Sequence, residues 1–120
     1  MLKFTDEHEW ISLDGEIATI GITDHAQSEL GDIVYVELPD TGTKVTAGGD
    51  MATVESFKAA SSVYAPVSGE VVETNQTLAD DPAQVNTAPM GAGWFVKIKV
   101  EDISQVAGLM DEEDYLKLIG

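Results

Sequence analysis

Apolar and polar positions alternate in short runs along this chain, broken by turn residues. In residues 9–22, "EWISLDGEIATIGI", two runs rich in β-branched residues flank Asp14-Gly15, a strong turn dipeptide, so the stretch predicts a β-hairpin. The register changes in "TDHAQSELG". There Thr23 or Asp24 can cap a short helix, Ala26 and Leu30 share a face, and Gly31 supplies the stop. "DIVYVELP" reads as a strand closed by Pro39, and "DTGTKVTAGGD" as turns around a brief extended piece. "MATVES" and "SVYAPV" predict strands flanking a turn at Lys58, and "GEVVETN" predicts another. "TLADDPAQVN" predicts a helical turn with Pro82 near its start. "GWFVKIKV" alternates, with Phe95, Lys97 and Lys99 on one face and Trp94, Val96, Ile98 and Val100 on the other. The tail "EDISQVAGLMDEEDYLKLIG" predicts two short helices, residues 111–113 placing negative charge at an N-terminus, where the helix dipole favours it. Many short strands with peripheral helices predict a mainly β fold, a flattened barrel or sandwich. An echo of Gly-x-x-Val spacing links residues 42–50 and 69–77, one before and one after Lys58.

Composition narrows the function. A chain of 120 residues, 43% apolar, fits one domain with a real core, taken as residues 1–120 with a helical tail at about 101–120. The net charge is −16, and the six basic residues are all lysine. With no basic cluster to release counterions, binding to nucleic acid phosphates or anionic lipid is not expected. Two readings of the acidic surface stay open: partners with basic rims, or simple solvation. The absence of cysteine excludes disulfides, thiolate metal sites and cysteine nucleophiles. His8 and His25 have no second cluster at metal-ligand spacing, so no metal site is expected. "MLKF" runs straight into acidic sequence without a signal core, and no apolar run is long enough to span a bilayer. A cytoplasmic protein is the expectation.

The basic residue that calls for explanation is Lys58, which stands alone between Lys44 and Lys97 at a hairpin tip among small and apolar neighbours. It can be an ordinary solvated turn lysine. It can be a catalytic amine of lowered pKa, which needs burial or a neighbouring cation, whereas the nearest charge in sequence is Glu55. Or it can be a site of covalent acylation, presented by a tight tip whose small residues Ala59, Ala60 and Ser61 leave it accessible.

Five stretches bear on this choice: "EHEW" (7–10), "ATIGITDHAQSELGDIVYVELPDTG" (18–42), "VESFKAAS" (54–61), "YAPVSGEVVETN" (64–75) and "GWFVKIK" (93–99). In order and spacing they resemble the glycine cleavage system H-protein family over nearly the whole chain, from about residue 3 to 115. The resemblance implies a lipoyl-domain-like fold and a covalent lipoyl group on Lys58, within the motif Glu55, Ser56, Phe57, Lys58 and Ala59 that the attaching enzymes would recognise. It implies a non-catalytic, monomeric carrier that visits three enzymes. At the pyridoxal-phosphate glycine decarboxylase (P protein) the lipoyl disulfide accepts an aminomethyl group. At the aminomethyltransferase (T protein) ammonia is released and the one-carbon unit passes to tetrahydrofolate. At dihydrolipoamide dehydrogenase (L protein) the dithiol is reoxidised. A chain without cysteine cannot trap the lipoyl sulfur in an internal mixed disulfide. The resemblance also places Glu9 in the cleft that receives the loaded arm, as acceptor for a cationic aminomethyl group.

Four positions depart from the family pattern. Ser62 stands where an Asp is often found, Glu7 precedes "HEW" where Ser or Asp is common, Met90 replaces an aromatic, and Phe57 is bulkier than the usual Val. Loss of the Asp makes Glu9 more nearly the only carboxylate for the arm, and the other changes read as packing swaps. His25 is expected to be structural, Trp10 and Trp94 core, and Gly31, Gly42 and Gly69 turn residues. A biotin carrier would show Met on both sides of the lysine, and a lipoyl domain of a 2-oxoacid dehydrogenase would lack "EHEW" and the acidic tail. An H-like relay passing lipoyl groups to other lipoyl enzymes is the alternative that shares both lysine and fold.

Overall fold

The computed structural model describes residues 1–120. Nine strands form two antiparallel sheets. In chain order they are β1 (Leu2–Phe4), β2 (Glu9–Asp14), β3 (Ile17–Ile22), β4 (Ile33–Glu37), β5 (Lys44–Val45), β6 (Asp50–Ser56), β7 (Ala60–Tyr64), β8 (Gly69–Thr74) and β9 (Val96–Val100). The larger sheet has the order β1-β2-β3-β9-β8-β5 and the smaller β4-β6-β7. Neither closes on itself, so the fold is a pair of open sheets rather than a closed barrel. A continuous apolar core joins them, with Ile11, Ile20 and Ile98 from the larger sheet and Val54 and Val63 from the smaller. No helix is long and apolar enough to cross a membrane.

The expected elements are present, with local differences that have physical causes. Asp14 pairs with Ile17, so the two-residue loop is Gly15-Glu16, one position later than the dipeptide predicted. Gly15, at φ +65, takes the left-handed first loop position that suits the twist of the flanking strands. Strand β7 begins two residues earlier than its apolar run and stops at Tyr64, ahead of Pro66, which has no N–H for a ladder. Between β8 and β9 there are two one-turn helices, α2 (Thr77–Asp80) and α3 (Gln84–Thr87), where one turn was expected; Pro82 lies just before α3. Phe95 precedes β9 and is fully buried beside Val96, so the predicted alternation holds only from Val96 onward. Trp10 is buried, but Trp94 is only half-buried and lies outside the main core, with the Lys97 ammonium 5.2 Å above its ring.

Gly69 serves no turn. It begins β8, opposite Val45 and Val100, where a Cβ would overlap the Lys99 carbonyl oxygen. The two halves of the Gly-x-x-Val echo do lie side by side, because β5 pairs with β8. Their valines are not equivalent, however, since Val45 is buried and Val72 exposed.

Helix α1 (Asp24–Leu30) follows the expected logic. Thr23 caps it by accepting the Ala26 N–H at 3.2 Å, and Gly31 ends it at φ +81. Ala26 and Leu30 pack on the core. The tail forms α4 (Ser104–Ala107) and α5 (Glu112–Ile119), the latter capped by Asp111. It docks on β1 through paired backbone bonds between Phe4 and Met110, and Tyr115 joins Phe4 and Trp10 in a small second core.

Candidate functional site

The β6–β7 hairpin is built around Ser56. Its hydroxyl accepts the N–H groups of Lys58 (3.1 Å) and Ala59 (3.2 Å), while its own N–H donates to the Ala59 carbonyl at 2.8 Å. These bonds tighten the reversal and leave Lys58 outermost. The Ser56 side chain is buried in the turn, so of the four recognition residues expected here it is a scaffold, whereas Glu55, Phe57 and Ala59 face solvent. Lys58 is exposed, without the burial a Schiff-base amine requires. Its ammonium donates to the Glu29 carbonyl at 3.3 Å, in the last turn of α1, and lies 5.8 Å from the Phe57 ring.

Phe57 is not a core swap: its side chain is 68% exposed and rests against Gly31. That contact gives Gly31 a second role, since a Cβ there would stand 2.8 Å from the Phe57 ring and 3.2 Å from the Lys58 side chain. A side chain at Gly31 would have to push both exposed side chains aside, and the positive φ there adds strain of its own.

From the Lys58 contact a cleft of about 270 Å³ runs between α1 and β7. Ile22, Ala26, Leu30, Val54 and Val63 supply its apolar lining, and Glu7, Glu9 and Glu29 its carboxylates. Glu9 is therefore not alone, contrary to the expectation raised by Ser62, which is exposed and lines the same cleft. Glu9 does differ from the other two in being 3% exposed. Its carboxylate accepts the Thr5 hydroxyl at 2.9 Å and the Tyr64 N–H at 3.1 Å. Burial nevertheless pushes its pKa up to about 7, outweighing the two donors, and the nearby Glu7 and Asp6 charges add to the rise. Tyr64, whose N–H holds Glu9, lies four residues along β7 from Ala60 at the tip, roughly 13 Å at about 3.3 Å per residue.

A second cluster backs this cleft. The His8 and His25 rings, distant in sequence, lie 4.7 Å apart, and His25 also meets the Glu29 carboxylate at 3.7 Å. His8 Nδ1 is 2.9 Å from the Tyr115 hydroxyl, which is 2.7 Å from Thr23 Oγ1. Thr5, Tyr64 and Tyr115 are not candidates from the sequence, and His8 enters there only as a histidine without metal-ligand spacing. The one available signal was Tyr115 itself, the sole aromatic in a highly charged tail.

The family model described as glycine cleavage H-protein matches residues 2–120. The chain belongs to the glycine cleavage H-protein family. It is 53% identical over 118 residues to a protein of Parvibaculum lavamentivorans named glycine cleavage system H protein, covering 98% of this chain and 94% of that one. It is 54% identical over 120 residues to the protein of that name from Rhodospirillum rubrum, covering 99% and 95%. The crystal structure of a glycine cleavage system H protein from Mycobacterium marinum superposes with a TM-score of 0.91 at 38% identity, covering 99% of this chain and 96% of that one. Met90, like Phe57, lies at the surface rather than in the core, at 41% exposed.

Proposed function

We infer that this chain is the lipoyl carrier of a glycine cleavage system, with Lys58 as the attachment residue. The observation that carries the reading is the placement of Lys58: one exposed amine on a braced hairpin tip, bonded to the Glu29 carbonyl at the edge of a cleft with apolar walls and carboxylates, in a chain of the H-protein family. The residues fit an acyl arm. Ala59 and Ala60 leave the amine open to an attaching enzyme, and Glu55 and Phe57 flank it outwardly. Amide formation would remove the lysine charge that now rests on the Glu29 carbonyl.

When attached, the lipoyl group supplies a disulfide that takes up an aminomethyl unit and a pair of electrons. The protein's own residues then shelter and orient. Ile22, Leu30, Val54 and Val63 offer aliphatic contact along the cleft and exclude water, which suppresses hydrolysis of a labile cargo. Glu9 keeps lone pairs beyond those used by Thr5 and Tyr64, so it can accept a charge-assisted bond from an aminomethyl ammonium. On this reading the chain performs no catalysis. It is a cytoplasmic monomer and a substrate of glycine decarboxylase, aminomethyltransferase, dihydrolipoamide dehydrogenase and the lipoate-attaching enzymes.

Intact and peptide mass spectrometry of protein from lipoylation-competent cells tests this. One lipoyl increment on Lys58, absent from Lys58→Arg, is expected; an increment on Lys44 or Lys97 overturns it.

A further inference from the structure

The C-terminal helix reaches the arm cleft through one hydroxyl. Tyr115 is the only buried residue of α5, and its ring stacks on Phe4 at 4.7 Å. Its hydroxyl meets two groups that face each other at the end of the β2–β3 ladder, where the Thr23 N–H donates to the His8 carbonyl. One is Thr23, the cap of α1, whose Ala26, Glu29 and Leu30 form one wall. The other is His8, which lines the cleft itself and leads directly into Glu9.

The geometry at His8 explains why such a tie is needed. His8 is the one non-glycine residue in the chain with positive φ, at +67, and it directly precedes Glu9. A side chain held in the left-handed region persists only where its surroundings over-determine it. Here the His8 N–H donates to the Thr5 carbonyl, its carbonyl accepts the Thr23 N–H at 3.0 Å, and its ring meets Tyr115. The Ala26 N–H donates to Thr23 Oγ1; a Thr23 hydroxyl donating to Tyr115 and a Tyr115 hydroxyl donating to His8 Nδ1 then satisfy the whole chain of bonds.

We propose that Tyr115 is a positioning residue for the arm cleft, its hydroxyl bracing the junction of the Glu9 loop and the start of α1 that the His8–Thr23 backbone bond forms. The proposal rests on the carrier reading for its consequence but not for its geometry. Displacement of α5, by a partner enzyme for instance, would then loosen the Glu9 loop and the start of α1 together and free the arm.

Tyr115→Phe keeps the ring and its stacking on Phe4 while removing the hydroxyl. In the unlipoylated protein, amide hydrogen exchange at Thr23, Ala26 and Tyr64 is expected to quicken about tenfold. Exchange at Val71 and Ile98 should stay as in the wild type, which shows that the fold is intact. Thr23→Ser, retaining a hydroxyl, should exchange like the wild type. In lipoylated protein loaded with the aminomethyl group, ammonia release without the aminomethyltransferase should rise about tenfold in Tyr115→Phe. Wild-type exchange at Thr23, Ala26 and Tyr64 in Tyr115→Phe overturns the proposal. So does faster exchange with wild-type release in that variant, if Glu9→Ala does release faster. If Glu9→Ala releases at the wild-type rate, the sheltering reading fails instead, and the exchange data alone decide the role of Tyr115.

Discussion

Glu9 concentrates the chemistry of the cleft in one carboxyl group. Its pKa, raised from 4.5 to about 7 chiefly by burial, means that the native state holds more protons than the unfolded chain between those values. This contribution to stability is therefore greatest below pH 4.5 and is lost as pH rises through 7, by on the order of 3 kcal/mol. Glu9→Gln removes the titration. Thermal unfolding of both proteins from pH 4.5 to 8 should show the variant gaining on the wild type across that window and running parallel above it; a constant gap would mean Glu9 stays ionised. The same titration bears on a cationic cargo. Only the carboxylate form attracts an ammonium, so the ratio of ammonia release in Glu9→Gln to that in the wild type should grow between pH 6 and 8. At the tip, Lys58→Arg should fold and melt like the wild type, because the side chain makes a single exposed bond to a carbonyl, yet carry no acyl group. A Tm lowered by more than a few degrees would show that the lysine is also a structural element.

Elements near the site were legible in the sequence to the extent that their signals were local. The Thr23 cap, the Gly31 stop and the strands flanking Lys58 each announce themselves within a few residues, and the structure has them. Gly69 was misread as a turn because what fixes it is a neighbour from another strand, the Lys99 carbonyl, 30 positions away. Substituting alanine there puts a methyl group into the β8–β9 ladder. Overpacking of this kind costs about 1–3 kcal/mol, which lowers Tm by roughly 4–12 °C in a protein this size, a range that differential scanning calorimetry resolves. Gly15→Ala, with open space around the glycine, should cost less and act only through its positive φ. The candidate site divides in the same way. Lys58 and Glu9 stood out through a lone charge and a family word, whereas Thr5, the Tyr64 N–H and Tyr115 act through contacts up to 107 residues apart. For the Tyr64 and Tyr115 contacts, 55 and 107 residues apart, no local window holds both partners; Thr5 lies four residues from Glu9, but nothing in that short stretch gives a sign that Glu9 is buried.

Across the whole molecule the charge is lopsided and poorly neutralised. The three lysine ion pairs, Lys44–Glu70, Lys97–Glu73 and Lys117–Glu113, are long and largely exposed, so they contribute little to stability. Most of the 22 acidic residues have no basic partner and repel one another over the surface. Two salt dependences of opposite sign follow. Screening relieves the self-repulsion of the folded carrier, so its Tm should rise with added salt. If the acidic surface also guides the carrier to enzymes with basic rims, screening must weaken that encounter, because the Debye length falls from about 30 Å at 0.01 M to about 8 Å at 0.15 M. Steering changes association rates by about 10- to 1,000-fold, so the effect is large enough to measure. The apparent KM for the lipoylated protein in the decarboxylase reaction should rise at least about tenfold from 0.01 to 0.3 M salt, while Tm climbs over the same range. A rising KM with a flat Tm would place the charge mainly around the docking face. A flat KM with a rising Tm would show that the acidic surface serves solubility alone, and that the partners recognise the hairpin and cleft without help from the long-range field.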